Sequence, residues 1–185
     1  MALRTVVCVV LCSYLAVPTA LAQTGAGKPA LKRGEMLSVF GGCNDCHTPK
    51  IMTAQGPAPD QSRLLSGHPA NAPLTPIPQG VIGTNPNQWA ALTNGDLTAW
   101  AGPWGVSFAA NLTPDKATGL GNWTEDQFTK TMRTGKHLGA GRPILPPMPW
   151  FNVAVLSDAD MKALFGYLRS IKPIENLVPQ PIPPK

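Results

Sequence analysis

The chain has 185 residues, of which 43% are hydrophobic and 14% are charged, with 15 Lys and Arg against 10 Asp and Glu. This length is typical of a single compact domain. The net charge of +5 is a modest excess without a basic run, so the composition does not support nucleic-acid binding. A small positive excess is compatible instead with docking to an acidic partner surface.

Residues 1–22 have the pattern of a cleaved signal peptide. Arg4 gives a positive start, Val6 to Ala16 forms a short apolar run, and Ala20-Leu21-Ala22 supplies small residues for a peptidase. The run is shorter than the about 20 apolar residues that a membrane-spanning helix needs. We therefore predict a periplasmic domain of residues 23–185, free or peripheral to the inner membrane, with no stable membrane insertion.

Cleavage after residue 22 removes two of the four cysteines, Cys8 and Cys12. Acylation of Cys12 is the weaker alternative, because the bulky Leu11 precedes it. The mature chain keeps Cys43 and Cys46. If both of these thiols bind another group, the exported domain has no thiol left for a stabilising disulfide.

The first predicted helix runs from Pro29 to about Gly41. Proline is favoured in the first turn of a helix, and Gly41-Gly42 provides a flexible end. The apolar positions fall near helical spacing, at Leu31, Met36, Leu37 and Phe40.

The sequence Cys43-Asn44-Asp45-Cys46-His47 directly follows this helix. Two thiols in this spacing can each bond a vinyl group of a porphyrin, and the adjacent imidazole can bind the iron, so the motif predicts one covalently attached haem c. A redox dithiol or half of a zinc site are the alternatives. Both are weaker, because the mature chain has no second cysteine pair and no strand leads into Cys43.

Residues 50–110 form a long Pro-rich insert. Seven prolines between Gly56 and Pro86 exclude most regular structure, since each fixes φ and removes an N–H donor. We expect an ordered but irregular wrap with a short extended piece near Val81–Ile82. The aromatic-rich stretch 89–112, with glycines at possible turns, predicts a short β-hairpin.

Two more helices complete the predicted core, which spans residues 29–172. Thr124 with Gln127 forms a capping box for a helix reaching about Arg133, and Ser157 caps a last helix that ends near Lys172-Pro173. The tail 173–185 contains five prolines and is expected to be an extended strap or a loose end.

The second axial position of the iron needs its own ligand if it is filled by the protein. Met148 is the best candidate, because three prolines stiffen its loop and thioether–imidazole ligation is common in haem proteins. The competing interpretation is that Met148 fills a core gap. His68 and His137 are rival ligands, while Lys136 and Arg142 could pair with haem propionates or be solvated charges.

The remaining methionines fit less well as ligands. Met52 follows His47 too closely to reach the opposite face of a haem. The others lie on predicted helix faces, where packing explains them: Met36, Met132 and Met161.

These features together resemble the class I cytochrome c family, over residues 29–172. The likeness rests on Gly34 and Phe40 before the motif, the motif itself, the Met148 loop, and Tyr167 in the last helix. Two segments, Asn111–Asp115 and Arg142–Trp150, are similar to single-haem cytochrome subunits that accompany periplasmic dehydrogenases. The resemblance implies a mostly α, cytochrome c-like fold, with the first and last helices crossing near Gly34 and Tyr167.

The resemblance further implies an electron-transfer protein rather than an enzyme. Its haem would be attached to Cys43 and Cys46 and ligated by His47 and Met148, and its partners would be a periplasmic dehydrogenase or a terminal acceptor. The alternatives are a haem enzyme or sensor with an open distal site, such as a peroxidase or gas-binding protein, and an obligate subunit of a dehydrogenase complex.

Overall fold

The computed structural model describes residues 27–184, and the predicted signal peptide lies outside these described residues. Helices are the main regular elements along this range: α1 (Lys28–Phe40), α2 (Cys43–His47), α3 (Glu125–Thr134), α4 (Trp150–Ala154) and α5 (Asp158–Ser170). They are accompanied by two small antiparallel sheets. The expectation of a mostly α fold with a short hairpin is thereby confirmed. Within this range no helix is long and apolar enough to cross a membrane.

The close approach of α1 and α5 brings the two ends of the domain together. Gly34 is buried in α1, and a Cβ there would overlap the carbonyl oxygen of Ala163 and lie 2.7 Å from Cβ of Tyr167. Only glycine permits this approach, so the predicted crossing near Gly34 and Tyr167 is confirmed. At the rim of the crossing, Arg33 pairs with the carboxylate of Asp160 at 2.7 Å.

The core lies on one face of α5 and packs against α3. Phe128 of α3 stacks on Phe165 of α5 with ring centroids 5.0 Å apart. Leu65 belongs to the same cluster although it lies in a loop, and it is fully buried. The cluster comprises Leu65, Leu120, Phe128, Met132, Met161, Leu164, Phe165 and Leu168.

The residues that α1 buries differ from those that the sequence predicts. Met36 and Phe40 were expected to share the apolar face with Leu37, yet Met36 is 43% exposed and Phe40 is 88% exposed. Glycine and serine, at positions 34 and 38, occupy the buried side instead. Close helix packing selects small side chains at a crossing, so the hydrophobic periodicity was wrong for Met36 and Phe40. It was right for Leu31 and Leu37, which are half-buried. Met132 and Met161 are buried, as expected for packing residues.

The insert contains a β-hairpin that the sequence did not predict. Strands β1 (Lys50–Thr53) and β2 (Gly56–Pro59) form a tight antiparallel hairpin directly after the haem motif. Two of the four β2 residues are prolines, and a strand with only one partner tolerates them. From residue 64 to 91 the chain is irregular, as expected, with an isolated bridge between Ile82 and Trp89.

The predicted hairpin in residues 89–112 is confirmed. It consists of β4 (Ala99–Gly102) and β5 (Gly105–Phe108), and the two-residue strand β3 (Leu92–Thr93) lies along β4.

The two later helices begin where their caps predict. Thr124 and Gln127 form a reciprocal capping box, and Gly135 ends α3 with φ at 65°. Ser157 caps α5 by accepting from the N–H of Asp160. The Asp160 carboxylate bonds Arg33 rather than returning to the cap backbone. Helix α4 was not predicted, because Pro149 offers no side-chain cap and the helix has only five residues.

The tail after α5 is a strap that returns across the domain. Asn111 Nδ2 donates to the carbonyl of Ile174, and the Ile174 N–H donates to Thr113 Oγ1. Further along, Ile182 and Val106 exchange two backbone hydrogen bonds. The tail is therefore fastened at both ends, and the strap interpretation is the correct one of the two.

Candidate haem site

The Cys-x-x-Cys-His motif forms a single helical segment, α2. Gly42 adopts a left-handed conformation, with φ of 68°, and this turns the chain from α1 into α2. At the other end of α2, the Lys50 ammonium donates to the carbonyls of Asp45 and Asn44. A cation on the last carbonyls of a helix is favourable. The motif is thus a short rigid unit between a glycine turn and a lysine cap.

Both thiols are partly buried, and neither is in a disulfide. Burial raises the pKa of Cys43, and desolvation together with the charge of Asp45 raises the pKa of Cys46. Raised thiol pKa values oppose the thiolate that a redox dithiol requires. No group of three or more His, Cys, Asp and Glu side chains suited to a metal ion lies within residues 27–184. Neither the dithiol nor the zinc interpretation gains support.

His47 is buried and held in one orientation. Its Nδ1 lies 2.7 Å from the carbonyl oxygen of Ala110. A carbonyl only accepts, so Nδ1 carries the proton and Nε2 keeps its lone pair. Burial lowers the pKa of His47, which favours the neutral imidazole. A neutral ring with one nitrogen fixed by a backbone carbonyl is the arrangement found for metal-binding histidines.

The segments around His47 are fastened to one another by backbone hydrogen bonds. The Gly67 N–H donates to the carbonyl of His47 at 2.8 Å, and Leu65 N–H donates to Thr48 Oγ1 at 2.9 Å. The His68 N–H in turn donates to the carbonyl of Ala109. Segments 65–68 and 109–112 therefore hold the His47 ring and backbone from two sides.

Met148 lies in the loop between α3 and α4. It is partly buried and packs against the same core cluster as Cys43. Burial against that cluster is compatible with either a ligand or a packing role, so its assignment as the second axial ligand stays a prediction.

The rival histidines have different surroundings. His68 is 1% exposed, its Nδ1 lies 2.8 Å from Thr98 Oγ1, and its Nε2 has no hydrogen-bond partner within the described part of the chain. His137 is exposed and meets the edge of Trp123 at a centroid distance of 5.1 Å. Lys136 and Arg142 are both exposed.

These residues fit a c-type haem. The chain presents two free thiols on one short helix and a neutral imidazole with an available lone pair. It also buries two polar atoms without partners among the described residues, Ser38 Oγ and His68 Nε2. Buried polar atoms in native proteins are nearly always paired, so such atoms indicate where a polar cofactor or water belongs.

The sequence did not reveal every residue that supports this site. The carbonyl of Ala110 has no side-chain signature, and only its place one residue before the Asn111–Asp115 segment could have drawn attention to it. Asn176 was also missed, although its Nδ2 donates to the carbonyls of Ser66 and His68 from the far end of the chain. Such long-range pairing is invisible to local patterns.

The helix crossing at Gly34, the Cys-x-x-Cys-His helix and the oriented His47 fit a cytochrome c fold. No family model matches the chain, but curated proteins do. It is 31% identical over 156 residues to the gluconate 2-dehydrogenase cytochrome c subunit of Pantoea cypripedii, covering 84% of this chain and 26% of that protein. It is 26% identical over 175 residues to the fructose dehydrogenase cytochrome subunit of Gluconobacter japonicus, covering 94% of this chain and 28% of that protein.

A third relative is one of the subunits of the nicotinate dehydrogenase of Pseudomonas putida, 30% identical over 149 residues, which are 80% of this chain and 9% of that protein. The chain is thus a homologue of cytochrome c subunits of bacterial dehydrogenases, and the resemblance predicted from its sequence is confirmed. It covers between 9% and 28% of the length of these three relatives.

Proposed function

We propose that the chain is a periplasmic one-electron carrier with a single haem c, bound covalently by Cys43 and Cys46 and ligated by His47 and Met148. The observation that carries the proposal is His47, because its buried neutral ring is fixed through Nδ1 by Ala110 and keeps Nε2 for a metal. The haem supplies a one-electron iron couple when it is bound.

The chain's own residues would keep rearrangement small during electron transfer. The two thioether bonds would tether the porphyrin to α2, whose ends are fixed by Gly42 and Lys50. The Ala110 carbonyl holds the His47 ring at one rotation, and Met148 packs against the core cluster. A thioether ligand raises the reduction potential relative to a second imidazole.

We further propose a dehydrogenase as the partner, because the three relatives are each named as a subunit of a dehydrogenase. Exposed Lys136 and Arg142 lie in the loop that leads to Met148, and neither forms an ion pair within residues 27–184. These charges suit an acidic surface on the partner. Recovery of a dehydrogenase in stoichiometric amount with the tagged chain from its native host would support an obligate subunit, and its absence would support a free carrier.

The axial ligand is tested by Met148→Ala in the haem-loaded protein, with Met52→Ala as the matched control. Met52 is 81% exposed and lies in the β1–β2 hairpin. Met148→Ala is expected to abolish the weak red absorption band of a methionine-ligated ferric haem and to lower the reduction potential. Met52→Ala should leave both unchanged. An unaltered spectrum in Met148→Ala would reject this ligand and return attention to His68 and His137.

The same material tests the alternative of an open-site enzyme or sensor. A ferrous iron with two protein ligands should not bind carbon monoxide readily, whereas an open distal position would. Stoichiometric binding of carbon monoxide to the unaltered protein at neutral pH would therefore contradict the carrier proposal.

A further inference from the structure

The insert contacts the Met148 loop through one hydroxyl group. Ser107 is buried in β5, and its Oγ lies 2.6 Å from the carbonyl oxygen of Pro146, two residues before Met148. The indole N–H of Trp104 donates to the same Oγ at 3.3 Å. The hydroxyl oxygen thus accepts from the indole, and its single hydrogen is free to be donated. The carbonyl of Trp100, at 3.5 Å, is much farther than that of Pro146.

This contact matters because the Met148 loop has few other ways to be fastened. Three of its residues, Pro146, Pro147 and Pro149, have no backbone N–H. Within residues 27–184, the segment 145–148 makes one hydrogen bond, which the Pro146 carbonyl accepts from Ser107. The loop has two other restraints, which are side-chain packing against the core cluster and the hydrogen bond from the Ile144 N–H to the Gly135 carbonyl at 2.8 Å.

The hairpin that carries Ser107 is itself well anchored. Next to Ser107, Val106 exchanges backbone hydrogen bonds of 2.8 and 2.9 Å with Ile182 of the C-terminal strap. On its other side, β5 pairs with β4 over four residues, and Ala109 N–H donates to the carbonyl of Thr98. Ser107 therefore joins the loop to a fixed part of the domain.

We propose that Ser107 is a positioning residue that retains Met148 on the haem iron by holding the Pro146 carbonyl. The inference rests on the proposed function, since it requires Met148 to be a ligand. It also gives the Pro-rich insert a role within the domain, as a support for the axial loop. For an external ligand to replace Met148, the loop must move away from the iron, and this movement breaks the bond from Ser107.

The experiment is a titration of the ferric protein with imidazole, following the loss of the methionine band. Ser107→Ala removes the hydrogen bond to the Pro146 carbonyl. Loss of one hydrogen bond of ordinary net strength should make the apparent imidazole affinity about threefold to tenfold higher than in the unaltered protein. Ser107→Thr keeps the hydroxyl and is expected to restore the original affinity. Trp104→Phe, which removes the indole donor, should shift the affinity less and in the same direction.

Thr93→Ala is the matched control. The Thr93 hydroxyl donates to the Ala99 carbonyl at 3.1 Å in the same sheet but is not bonded to the Met148 loop. A change in imidazole affinity in Ser107→Ala and not in Thr93→Ala supports the inference. Equal affinities in Ser107→Ala and the unaltered protein, or equal shifts in both variants, would overturn it.

Failure of the inference can be separated from failure of the proposed function. If the unaltered protein shows no methionine band, or Met148→Ala leaves that band unchanged, the ligand assignment fails and Ser107 loses its proposed role with it. If the band depends on Met148 and imidazole still binds Ser107→Ala with unchanged affinity, only the positioning role is rejected.

Discussion

The C-terminal strap should contribute measurably to stability through Asn176. The side-chain amide donates to the carbonyls of Ser66 and His68, at 2.7 and 2.9 Å, and its Oδ1 accepts from the N–H of Ala70 at 2.9 Å. One side chain thus pairs three backbone groups in the segment that also supports His47. Replacing Asn176 with Ala removes all three hydrogen bonds at once.

The expected loss follows from the burial of two of those groups, the carbonyls of Ser66 and His68, because Ala70 is exposed. Ser66 and His68 are 2% and 1% exposed, so their carbonyls regain water only if the segment opens. Each hydrogen bond contributes about 0.5–1.5 kcal/mol net, and unpaired buried groups cost more, so we expect Asn176→Ala to lower the free energy of unfolding by about 2–4 kcal/mol. For a domain of this size, that corresponds to a fall in Tm of about 5–12 °C.

The measurement is guanidinium unfolding of the haem-loaded ferric protein, followed by far-ultraviolet circular dichroism. The control is Asn122→Ala, because Asn122 is exposed and its amide makes a single hydrogen bond, to the carbonyl of Lys116. The control should change the free energy of unfolding by less than about 0.5 kcal/mol. A loss below about 1 kcal/mol in Asn176→Ala would show that Asn176 does not fasten the strap as described, since it falls short of even two ordinary hydrogen bonds.

Two further predictions concern the helix crossing and pH. Gly34→Ala should lower the free energy of unfolding by about 1–3 kcal/mol, because the added methyl overlaps the Ala163 carbonyl and forces α1 and α5 apart. Lys32→Ala, on the exposed side of α1, is the control and should have little effect on the unfolding midpoint. A Gly34→Ala protein as stable as the unaltered protein would contradict the crossing. Burial lowers the pKa of His68. Below about pH 6.5, His68 therefore binds a proton more readily in the unfolded chain than in the folded chain, and the free energy of unfolding should fall as the pH falls. In His68→Gln, the decline between about pH 6.5 and 5 should be shallower in parallel unfolding titrations; identical slopes would show that His68 does not contribute.

Local sequence signals predicted the elements that depend on local chemistry. The capping box at Thr124, the glycine after α3 and the serine cap of α5 each act within one helical turn, and all lie where the sequence placed them. The Cys43–His47 motif is equally local. The crossing at Gly34 was found through a family resemblance, because a single glycine in a helix has no direct signal for the partner that it contacts.

The features that sequence reasoning missed depend on distant contacts. Phe40 was expected on the buried face of α1, but the interface with α5 selects the small residues at positions 34 and 38. The β1–β2 hairpin was missed because Pro57 and Pro59 normally oppose a strand, and only an edge position makes them tolerable. The bonds from Ser107 to Pro146 and from Asn176 to Ser66 join segments 39 and 110 residues apart.

The central claim is that one haem is covalently bound to this chain through Cys43 and Cys46. The most direct test is the intact mass, under denaturing conditions, of the exported protein produced together with a cytochrome c maturation system. We expect the mass of the mature polypeptide plus one haem, and the mass of the bare polypeptide for the variant in which both cysteines are replaced by serine. A bare polypeptide from the unaltered sequence, or a haem that remains attached to the double serine variant, would contradict it.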